Sequence, residues 1–374
     1  MNTVKFSAFF LIAAIACTPI KCTAENIGVS AKACILTEDS TGQVLYAENP
    51  DEKLPMASTT KIMSALILLE NGGLDTPFTA DSAAIHVEGS SMGLTEGKIV
   101  TGRTLCAGML LPSGNDAANA AAVRVAGSTE NFARLMNLRA AVIGMKNTHF
   151  VTPSGLHDDA HYSTARDMAA LASEALKNPD FAEICRSVTI KTDEGFFLRN
   201  TNKLLTMCSG CIGVKTGFTD EAGRCLVSAC ERDGVRLICV TLNDRDDWND
   251  HMKLYDMGFS MITKIAADTG DFTENVVGGD LTKIKLLPEK ELFYPSAGGK
   301  MPAVTYKAVM PPFVYAPVHK GDVIGRLELY ADGRKFTECS LISGDESGIT
   351  AAKPPVDQNF FGKIISFISD LFKK

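Results

Sequence analysis

The chain has 374 residues, of which 45% are hydrophobic and 22% are charged, and its net charge is −7. This length and composition predict a globular protein with a large core and enough chain for two domains. The mild negative charge argues against nucleic acid as a partner, because nucleic-acid binding depends on neutralising phosphates with lysine and arginine.

Residues 1–24 have the pattern of a secretory signal peptide. Lys5 supplies a short positive region, residues 6–16 form an apolar run, and Cys22, Thr23 and Ala24 are small residues suited to cleavage after Ala24. The apolar run is too short to cross a bilayer comfortably. We therefore expect an exported protein.

Residues 25–270 carry mixed strand and helix signals. Apolar residues at helical spacing predict one helix that ends at Gly72 and Gly73, and the residues 231–234 predict a turn between two late strands. The predicted strands are 31–37, 44–47, 224–230 and 236–242, and the predicted helices are 61–70, 102–111, 116–126, 130–143, 164–177 and 253–265. The order predicts an α+β domain in which an antiparallel sheet is flanked by helices.

The composition and residue pattern of the sequence change after residue 270. Short alternating segments separated by Gly, Pro and Asp predict a small β-rich domain over residues 271–343. Residues 344–359, which include Pro354 and Pro355, have the composition of a linker.

The last segment, residues 360–374, is sharply amphipathic as a helix, with four Phe, three Ile and one Leu on one face. As a helix it would be about 22 Å long, too short to span a bilayer. It is predicted to lie in the plane of a membrane surface as an anchor, and the alternative is a helix packed on the protein's own surface.

Three short motifs stand in order along the chain, and each occurs once. They are Ser58-Thr59-Thr60-Lys61, Ser113-Gly114-Asn115 and Lys215-Thr216-Gly217. Together they supply a nucleophile, a base, a proton relay and an anion-binding strand, which is the chemistry of a serine acyl-transfer enzyme that works without histidine.

These motifs resemble those of the penicillin-binding proteins and serine β-lactamases. The surrounding stretches 54–61, 111–118, 152–157 and 213–219 narrow the resemblance to the low-molecular-mass D-alanyl-D-alanine carboxypeptidases, over roughly residues 28–345. The resemblance also implies an α+β fold followed by a second, β-rich domain. It implies peptidoglycan stem peptides as substrates, β-lactams as covalent inhibitors and no cofactor.

The motifs assign catalytic roles to three side chains. Ser58 is the expected nucleophile, and Lys61, three residues on and so on the same helix face, is its expected base if it is neutral. Burial and the neighbouring charge of Lys215 would both lower its pKa. Ser113 is expected to pass the proton to the leaving nitrogen.

The remaining motif residues are expected to bind substrate. Asn115 would hold the substrate amide, and Lys215 and Thr216 its terminal carboxylate. Gly217 would let the substrate lie close to its strand, and the backbone N–H groups of Ser58 and Phe218 would form the oxyanion hole.

Cysteines and histidines offer weaker candidates. Nine of the 11 cysteines follow the signal peptide, an odd number, and Cys208 and Cys211 form a C-x-x-C that is either a disulfide or two reduced turn cysteines. The cluster of His149, His157, Asp158 and His161 lacks the spacing of a metal site, so we predict structural roles and no metal.

The sequence thus predicts an exported, peripherally membrane-anchored serine D,D-carboxypeptidase at the outer face of the cytoplasmic membrane. It would remove the terminal D-alanine from peptidoglycan pentapeptides through an acyl-enzyme on Ser58. The alternatives are a D,D-endopeptidase, a β-lactamase, and a non-catalytic penicillin-binding sensor or scaffold. A class A β-lactamase is disfavoured because residues 152–164 contain no glutamate.

Overall fold

The computed structural model describes residues 4–5, 27–267, 269–298 and 301–349. The predicted signal peptide (apart from residues 4–5), the linker beyond residue 349 and the amphipathic segment 360–374 lie outside these described residues. The described chain divides into two compact units, one with residues 27–264 and 295–298 and the other with the remainder. The first strand, β1 (Val4–Lys5), belongs to the second unit.

The first unit is α+β, as predicted. Its strands are β2 (Ala33–Glu38), β3 (Val44–Glu48), β4 (Phe78–Thr79), β5 (Ile99–Val100), β6 (Thr189–Lys191), β7 (Phe197–Arg199), β8 (Cys211–Thr219), β9 (Gly223–Arg232) and β10 (Val235–Leu242). Its helices are α1 (Lys61–Glu70), α2 (Gly102–Leu110), α3 (Asn115–Ala126), α4 (Thr129–Ile143), α5 (Ala165–Ala175), α6 (Pro179–Arg186), α7 (Leu204–Met207) and α8 (Asp247–Met261).

An antiparallel sheet with the order β3-β2-β10-β9-β8 forms the centre of this unit. Its inner strands are buried on both faces, so they read as continuous apolar runs. Ile35, Val227 and Ile238 on one face join the main hydrophobic core with helices α1–α6. Strand β8, which carries the Lys215-Thr216-Gly217 motif, lies at the sheet edge, so among the described residues one side of it has no paired strand.

Helix α8 covers the other face of the sheet through a buried polar network. Ser228 Oγ lies 2.7 Å from His251 Nδ1 and 2.6 Å from Tyr255 Oη, and His251 Nε2 lies 3.0 Å from Thr241 Oγ1. Burial lowers the pKa of His251 to about 3, so the ring is neutral. These four buried side chains therefore satisfy one another beneath the sheet.

Most predicted elements are confirmed within one or two residues, and α1 has the predicted bounds. One helix prediction is wrong at its start: α8 begins at Asp247 rather than residue 253, and residues 263–266 are a strand. Helix α6 and the hairpin β6–β7 have no counterpart among the predictions.

The second unit is β-rich, as predicted. The strands that follow α8 are β11 (Thr263–Ala266), β12 (Phe272–Val277), β13 (Lys283–Pro288), β14 (Phe293–Ser296), β15 (Val304–Val309), β16 (Val314–Tyr315), β17 (Val323–Ala331) and β18 (Arg334–Ser343). The main sheet has the order β1-β15-β17-β18-β13-β12-β16. Strand β12 alternates buried and exposed residues, the pattern of a sheet with one face against a core.

The linker prediction is corrected at its start. Residues 344–349 still pair with the β-rich unit, because Ser347 bridges to Val318 and Ile349 to Gly279. No helix among the described residues is both long and apolar enough to cross a membrane.

Candidate active site

The first motif forms a single turn that leads directly into a helix. Residues Ala57–Thr60 are a 3-10 turn, and α1 starts at Lys61. Ala57 has φ +47°, a left-handed conformation that is uncommon for a residue with a side chain. Ser58 follows this strained residue and is half-buried. Strain of this kind clusters at functional sites, where surrounding contacts hold it in place.

Lys61 has three hydrogen-bonding neighbours. Its Nζ lies 2.8 Å from Ser58 Oγ, 2.7 Å from Asn115 Oδ1 and 2.6 Å from the backbone oxygen of Ser154. Asn115 Oδ1 and the Ser154 carbonyl can only accept hydrogen bonds. A neutral amine has two N–H groups, so both are used by these acceptors and the lone pair is left facing the Ser58 hydroxyl.

The surroundings of Lys61 favour this neutral form. The side chain is fully buried, and burial followed by the charge of Lys215 sets its pKa well below the usual range, while Asp116 opposes the shift. Both causes are those that the sequence predicts.

The second motif lies between α2 and α3 and brings Asn115 to Lys61. Asn115 is held from the other side, because its Nδ2 donates to the Glu88 carbonyl at 2.7 Å. Ser113 has φ +70° and is buried, in the left-handed region again. Among the described residues, the hydrogen-bond partners of Lys61 Nζ do not include Ser113, so the structure joins Lys61 directly to Ser58 and Asn115 and not to Ser113.

Asp116 has a role that the motif does not signal. Its carboxylate accepts hydrogen bonds from Ser91 Oγ at 2.6 Å and from the backbone N–H groups of Met92, Gly93 and Leu94 at 2.9–3.1 Å. The side chain thereby fixes the loop 91–94 against the start of α3.

The third motif lies on the edge strand β8 and contributes a second buried lysine. Lys215 Nζ donates to the Thr216 carbonyl at 2.8 Å and lies 3.4 Å from Thr216 Oγ1. Burial lowers the pKa of Lys215 to about 7. Thr216 Oγ1 is also 2.8 Å from Thr201 Oγ1, a residue that sequence reasoning missed.

Gly217 brings β8 directly against the nucleophile turn. A Cβ at this position would lie 3.1 Å from Ser58 N and 2.9 Å from the Met56 carbonyl oxygen, which is closer than a side chain normally tolerates. The side chain of Phe218 next to it is 62% exposed. The structure thus places the backbone of Gly217–Phe218 beside Ser58.

The loop 152–156 is a part of the site that sequence reasoning did not assign. Its Ser154 carbonyl accepts from Lys61, and its Pro153 carbonyl accepts from Ser64 Oγ at 2.5 Å. His161 Nε2 lies 2.8 Å from Thr60 Oγ1, while Nδ1 accepts from Val151 N at 2.9 Å. Both ring nitrogens of His161 are thus engaged in hydrogen bonds within the protein, which is compatible with the structural role predicted for it.

The cysteines of the described residues are all free thiols. The Cys208 thiol interacts with Cys230 and with Arg232, whose Nη2 is 3.8 Å away, and these contacts lower its pKa to about 6. Cys211 instead faces the Gly213 carbonyl at 3.4 Å. No group of three His, Cys, Asp or Glu side chains in the described part of the chain is arranged to hold a metal ion.

Comparison with known families matches both units. The family model described as D-alanyl-D-alanine carboxypeptidase matches residues 20–246, and that described as the C-terminal domain of penicillin-binding protein 5 matches residues 259–347. D-alanyl-D-alanine carboxypeptidase DacF of Bacillus subtilis is 32% identical over 84% of this chain and 85% of its own length. DacA of Escherichia coli is 30% identical over 92% of this chain and 88% of its own length.

Solved structures agree with these relatives. The Streptomyces K15 DD-transpeptidase is 36% identical with a TM-score of 0.59, over 62% of this chain and 98% of its own. Penicillin-binding protein 5 from Haemophilus influenzae is 27% identical with a TM-score of 0.61, over 86% of this chain and 98% of its own. The chain therefore belongs to the D-alanyl-D-alanine carboxypeptidase family, the low-molecular-mass penicillin-binding proteins.

Proposed function

We propose that this protein removes the terminal D-alanine from peptidoglycan pentapeptides through an acyl-enzyme on Ser58. As a member of its family, the chain is a serine-type hydrolase with D-alanyl-D-alanine carboxypeptidase activity. The observation that supports the role of Ser58 is its 2.8 Å contact with a buried lysine whose other two neighbours are acceptors only.

The first half of the reaction joins substrate to enzyme. Ser58 Oγ attacks the carbonyl carbon of the penultimate D-alanine while Lys61 Nζ takes the hydroxyl proton. The negative oxygen of the tetrahedral intermediate is held by the backbone N–H groups of Ser58 and Phe218. The close approach of Gly217 to Ser58 supports this oxyanion hole, since it brings both backbone segments together.

The intermediate then collapses and the acyl-enzyme is hydrolysed. The C–N bond breaks, and the Lys61 ammonium group gives its proton to the leaving amine of D-alanine. We propose that the Ser113 hydroxyl relays this proton and comes within hydrogen-bond distance of Lys61 only in the substrate complex. Water then attacks the ester carbon while Lys61 takes its proton. The C–O bond to Ser58 breaks, Lys61 returns the proton to Ser58 Oγ, and the shortened peptide is released. Asn115 is proposed to orient the substrate amide, and its firm attachment to Glu88 and Lys61 supports that role.

Lys215 and Thr216 are proposed to bind the terminal carboxylate of the substrate. Lys215 has one N–H group beyond those that point to the Thr216 carbonyl and hydroxyl, and its ammonium group is buried, where a charge-assisted hydrogen bond is strong. β-Lactams carry a carboxylate at a corresponding place relative to their acyl carbon. We therefore propose that they occupy the same positions and acylate Ser58.

The test combines covalent labelling with turnover. Ser58→Ala should lose labelling by a fluorescent penicillin and should release no D-alanine from a pentapeptide ending in D-Ala-D-Ala, measured by mass spectrometry. Ser260→Ala, which removes an exposed serine on α8, is the matched control and should keep both activities. Labelling that persists in Ser58→Ala would assign the nucleophile elsewhere.

The rival activities give different products in the same experiment. An endopeptidase would cut a cross-linked dimer in preference to the pentapeptide. A sensor would be labelled on Ser58 but would release no alanine. A β-lactamase would hydrolyse penicillin rapidly. The Ser-Asp-Asn motif of class A β-lactamases has an aspartate where this chain has Gly114. The structure leaves no room for that side chain, because a Cβ at position 114 would lie 2.6 Å from Asp116 Oδ1.

We further propose that the protein is exported and bound to the outer face of the cytoplasmic membrane through residues 360–374. The signal-peptide pattern of residues 1–24 and the amphipathic pattern of residues 360–374 support this location. Lys363, Lys373 and Lys374 would add attraction to anionic lipid.

Deletion of residues 360–374 tests the anchor. The truncated, signal-cleaved protein should remain in solution when vesicles containing anionic lipid are pelleted, whereas the full mature chain should pellet with them. Activity on a soluble peptide should be unchanged. Loss of that activity on truncation would instead favour a helix packed on the protein's own surface.

A further inference from the structure

We propose that His161 is a positioning residue that sets the geometry of the Ser58–Lys61 pair from both ends. This inference rests on the proposed roles of Ser58 and Lys61. The imidazole joins two backbone segments that are distant in sequence: the turn that carries the nucleophile and the loop whose carbonyl binds the base.

One nitrogen of the ring holds the loop. His161 Nδ1 accepts hydrogen bonds from the backbone N–H groups of Val151 at 2.9 Å and Thr152 at 3.3 Å. Two residues beyond Thr152, the Ser154 carbonyl accepts from Lys61 Nζ at 2.6 Å. The ring therefore anchors the start of the segment that fixes one N–H of the base.

The other nitrogen holds the nucleophile turn. Because Nδ1 is an acceptor, a neutral ring carries its proton on Nε2, which donates to Thr60 Oγ1 at 2.8 Å. The Thr60 hydroxyl in turn donates to the Ala57 carbonyl at 2.7 Å. This chain of two hydrogen bonds ends on the residue that precedes Ser58 and has the unfavourable φ of +47°. It therefore holds in place the backbone that aims the nucleophile.

The two segments that His161 joins are also in direct contact. Gly155, with φ +83°, lies so close to the turn that a Cβ there would be 2.0 Å from the Ala57 oxygen. A shift of the loop must therefore displace the turn, and a shift of the turn must displace the loop. A ring that bonds to both segments fixes their relative position, and with it the 2.8 Å contact between Ser58 and Lys61.

The surroundings of His161 maintain the required neutral ring. The side chain is buried, and burial lowers its pKa to about 4, with smaller effects from Asp158, which opposes the shift, and from His149, His157 and Lys61. A protonated ring would present a donor to the Val151 N–H and lose that hydrogen bond.

Two substitutions of His161 test the hydrogen bonds of its two ring nitrogens separately. His161→Asn keeps an acceptor near the position of Nδ1 but does not reach Thr60, whereas His161→Gln can donate to Thr60 and gives up the Val151 acceptor. We expect each to slow the acylation of Ser58 by a saturating penicillin about tenfold, the effect of one lost hydrogen bond. The non-covalent dissociation constant of the penicillin should stay within about twofold, because Lys215 and Thr216 are not touched.

Substitutions of Thr60 test the same connection independently, because they leave His161 unchanged. Thr60→Val removes the hydroxyl that links His161 to Ala57 and should also slow acylation about tenfold, while Thr60→Ser should restore the wild-type rate. In the double variant Thr60→Val/His161→Asn the losses should not multiply, because both changes break the same connection. If His161→Asn does not fold, the pair at position 60 carries the test.

His149→Asn is the matched control, because this exposed histidine is near in sequence and, within the described chain, its ring hydrogen-bonds to the Ala160 carbonyl at 2.7 Å and packs on Tyr162, with no link to Thr60. It should acylate at the wild-type rate. Folded His161→Asn or Thr60→Val protein that acylates at the wild-type rate overturns the proposal, as do losses that multiply in the double variant. Ser58→Ala is run beside them: if it is still labelled, the nucleophile assignment fails, which is distinct from a failure of His161.

Discussion

Lys61 and Lys215 have the same side chain and nearly the same burial, 0% and 1% exposed, yet their hydrogen-bond partners give them different chemistry. Lys61 has two obligate acceptors and one hydroxyl around Nζ, so its lone pair is directed at Ser58. Lys215 donates to the carbonyl and the hydroxyl of the neighbouring Thr216, which leaves one N–H of its ammonium group for a ligand. Burial alone does not define the role of a lysine; the number of acceptors around it does.

The largest effect should come from making Lys61 unable to lose its proton. Lys61→Arg keeps a long basic side chain but is protonated at every accessible pH, so it cannot serve as base. We expect acylation by penicillin to slow by at least about 10²-fold, and Lys61→Ala to be at least as slow. Stopped-flow measurement of the acylation rate is the check. A Lys61→Arg rate near wild type would move the base role to another group, such as Ser113.

Lys215 should matter through the charge of the substrate. Lys215→Gln should slow turnover of a peptide with a free C-terminal carboxylate about 10–100-fold more than that of its C-terminal amide, because the charge-assisted hydrogen bond is made only to the carboxylate. Comparison of kcat/KM for the two peptides gives the result. Equal losses on both would show that Lys215 acts only through the pKa of Lys61.

The two lysines should also determine opposite limbs of the pH profile of kcat/KM. Acylation requires neutral Lys61, so kcat/KM rises with pH through its lowered pKa. Binding of a carboxylate favours charged Lys215, so kcat/KM falls as pH rises through about 7. Lys215→Arg, which stays charged, should abolish the falling limb.

Lys215→Gln should move the rising limb instead. The charge of Lys215 is the second cause that lowers the pKa of Lys61, so its removal should raise that pKa and shift the rising limb to higher pH. The amidated peptide is the substrate for this measurement, because it isolates the effect on Lys61. An unmoved limb would mean that burial alone sets the pKa of Lys61.

How far the sequence predicts this site depends on how local each contact is. Ser58 and Lys61 are three residues apart on one helical turn, so their contact follows from helix geometry. His161 meets Thr60 across 101 residues, and no local pattern signals that contact. The Ser154 carbonyl that holds Lys61 belongs to the backbone, which carries no residue-specific signal at all.

The same distinction applies to the fold. The strands of the β-rich unit can be predicted because their buried residues alternate along the strand. Helix α1 is buried continuously from Lys61 to Leu68, and its apolar run together with the stop at Gly72 and Gly73 makes it predictable. The predicted start of α8 is too late because its first turns contain Asp247, Asp250 and His251, polar residues whose pattern predicts exposure to solvent. They are buried, and His251 is satisfied only by the Ser228 and Thr241 hydroxyls of the sheet, partners that a sequence window does not contain.

The smallest of these effects is expected from substitution of Thr201, which contacts Thr216 of the proposed carboxylate-binding group and has no hydrogen bond to Lys61. Its hydroxyl lies 2.8 Å from Thr216 Oγ1 and 3.3 Å from the Leu111 carbonyl, and so orients a group proposed to bind the carboxylate. Thr201→Val should raise KM for the carboxylate peptide about threefold to tenfold, the range of one neutral hydrogen bond, and Thr201→Ser should restore it. The acylation rate at saturating penicillin should not change, because no contact of Lys61 involves Thr201. A fall in that rate with KM unchanged would show that Thr201 acts on Lys61 and not on carboxylate binding. That result would contradict the separate roles proposed for the two lysines.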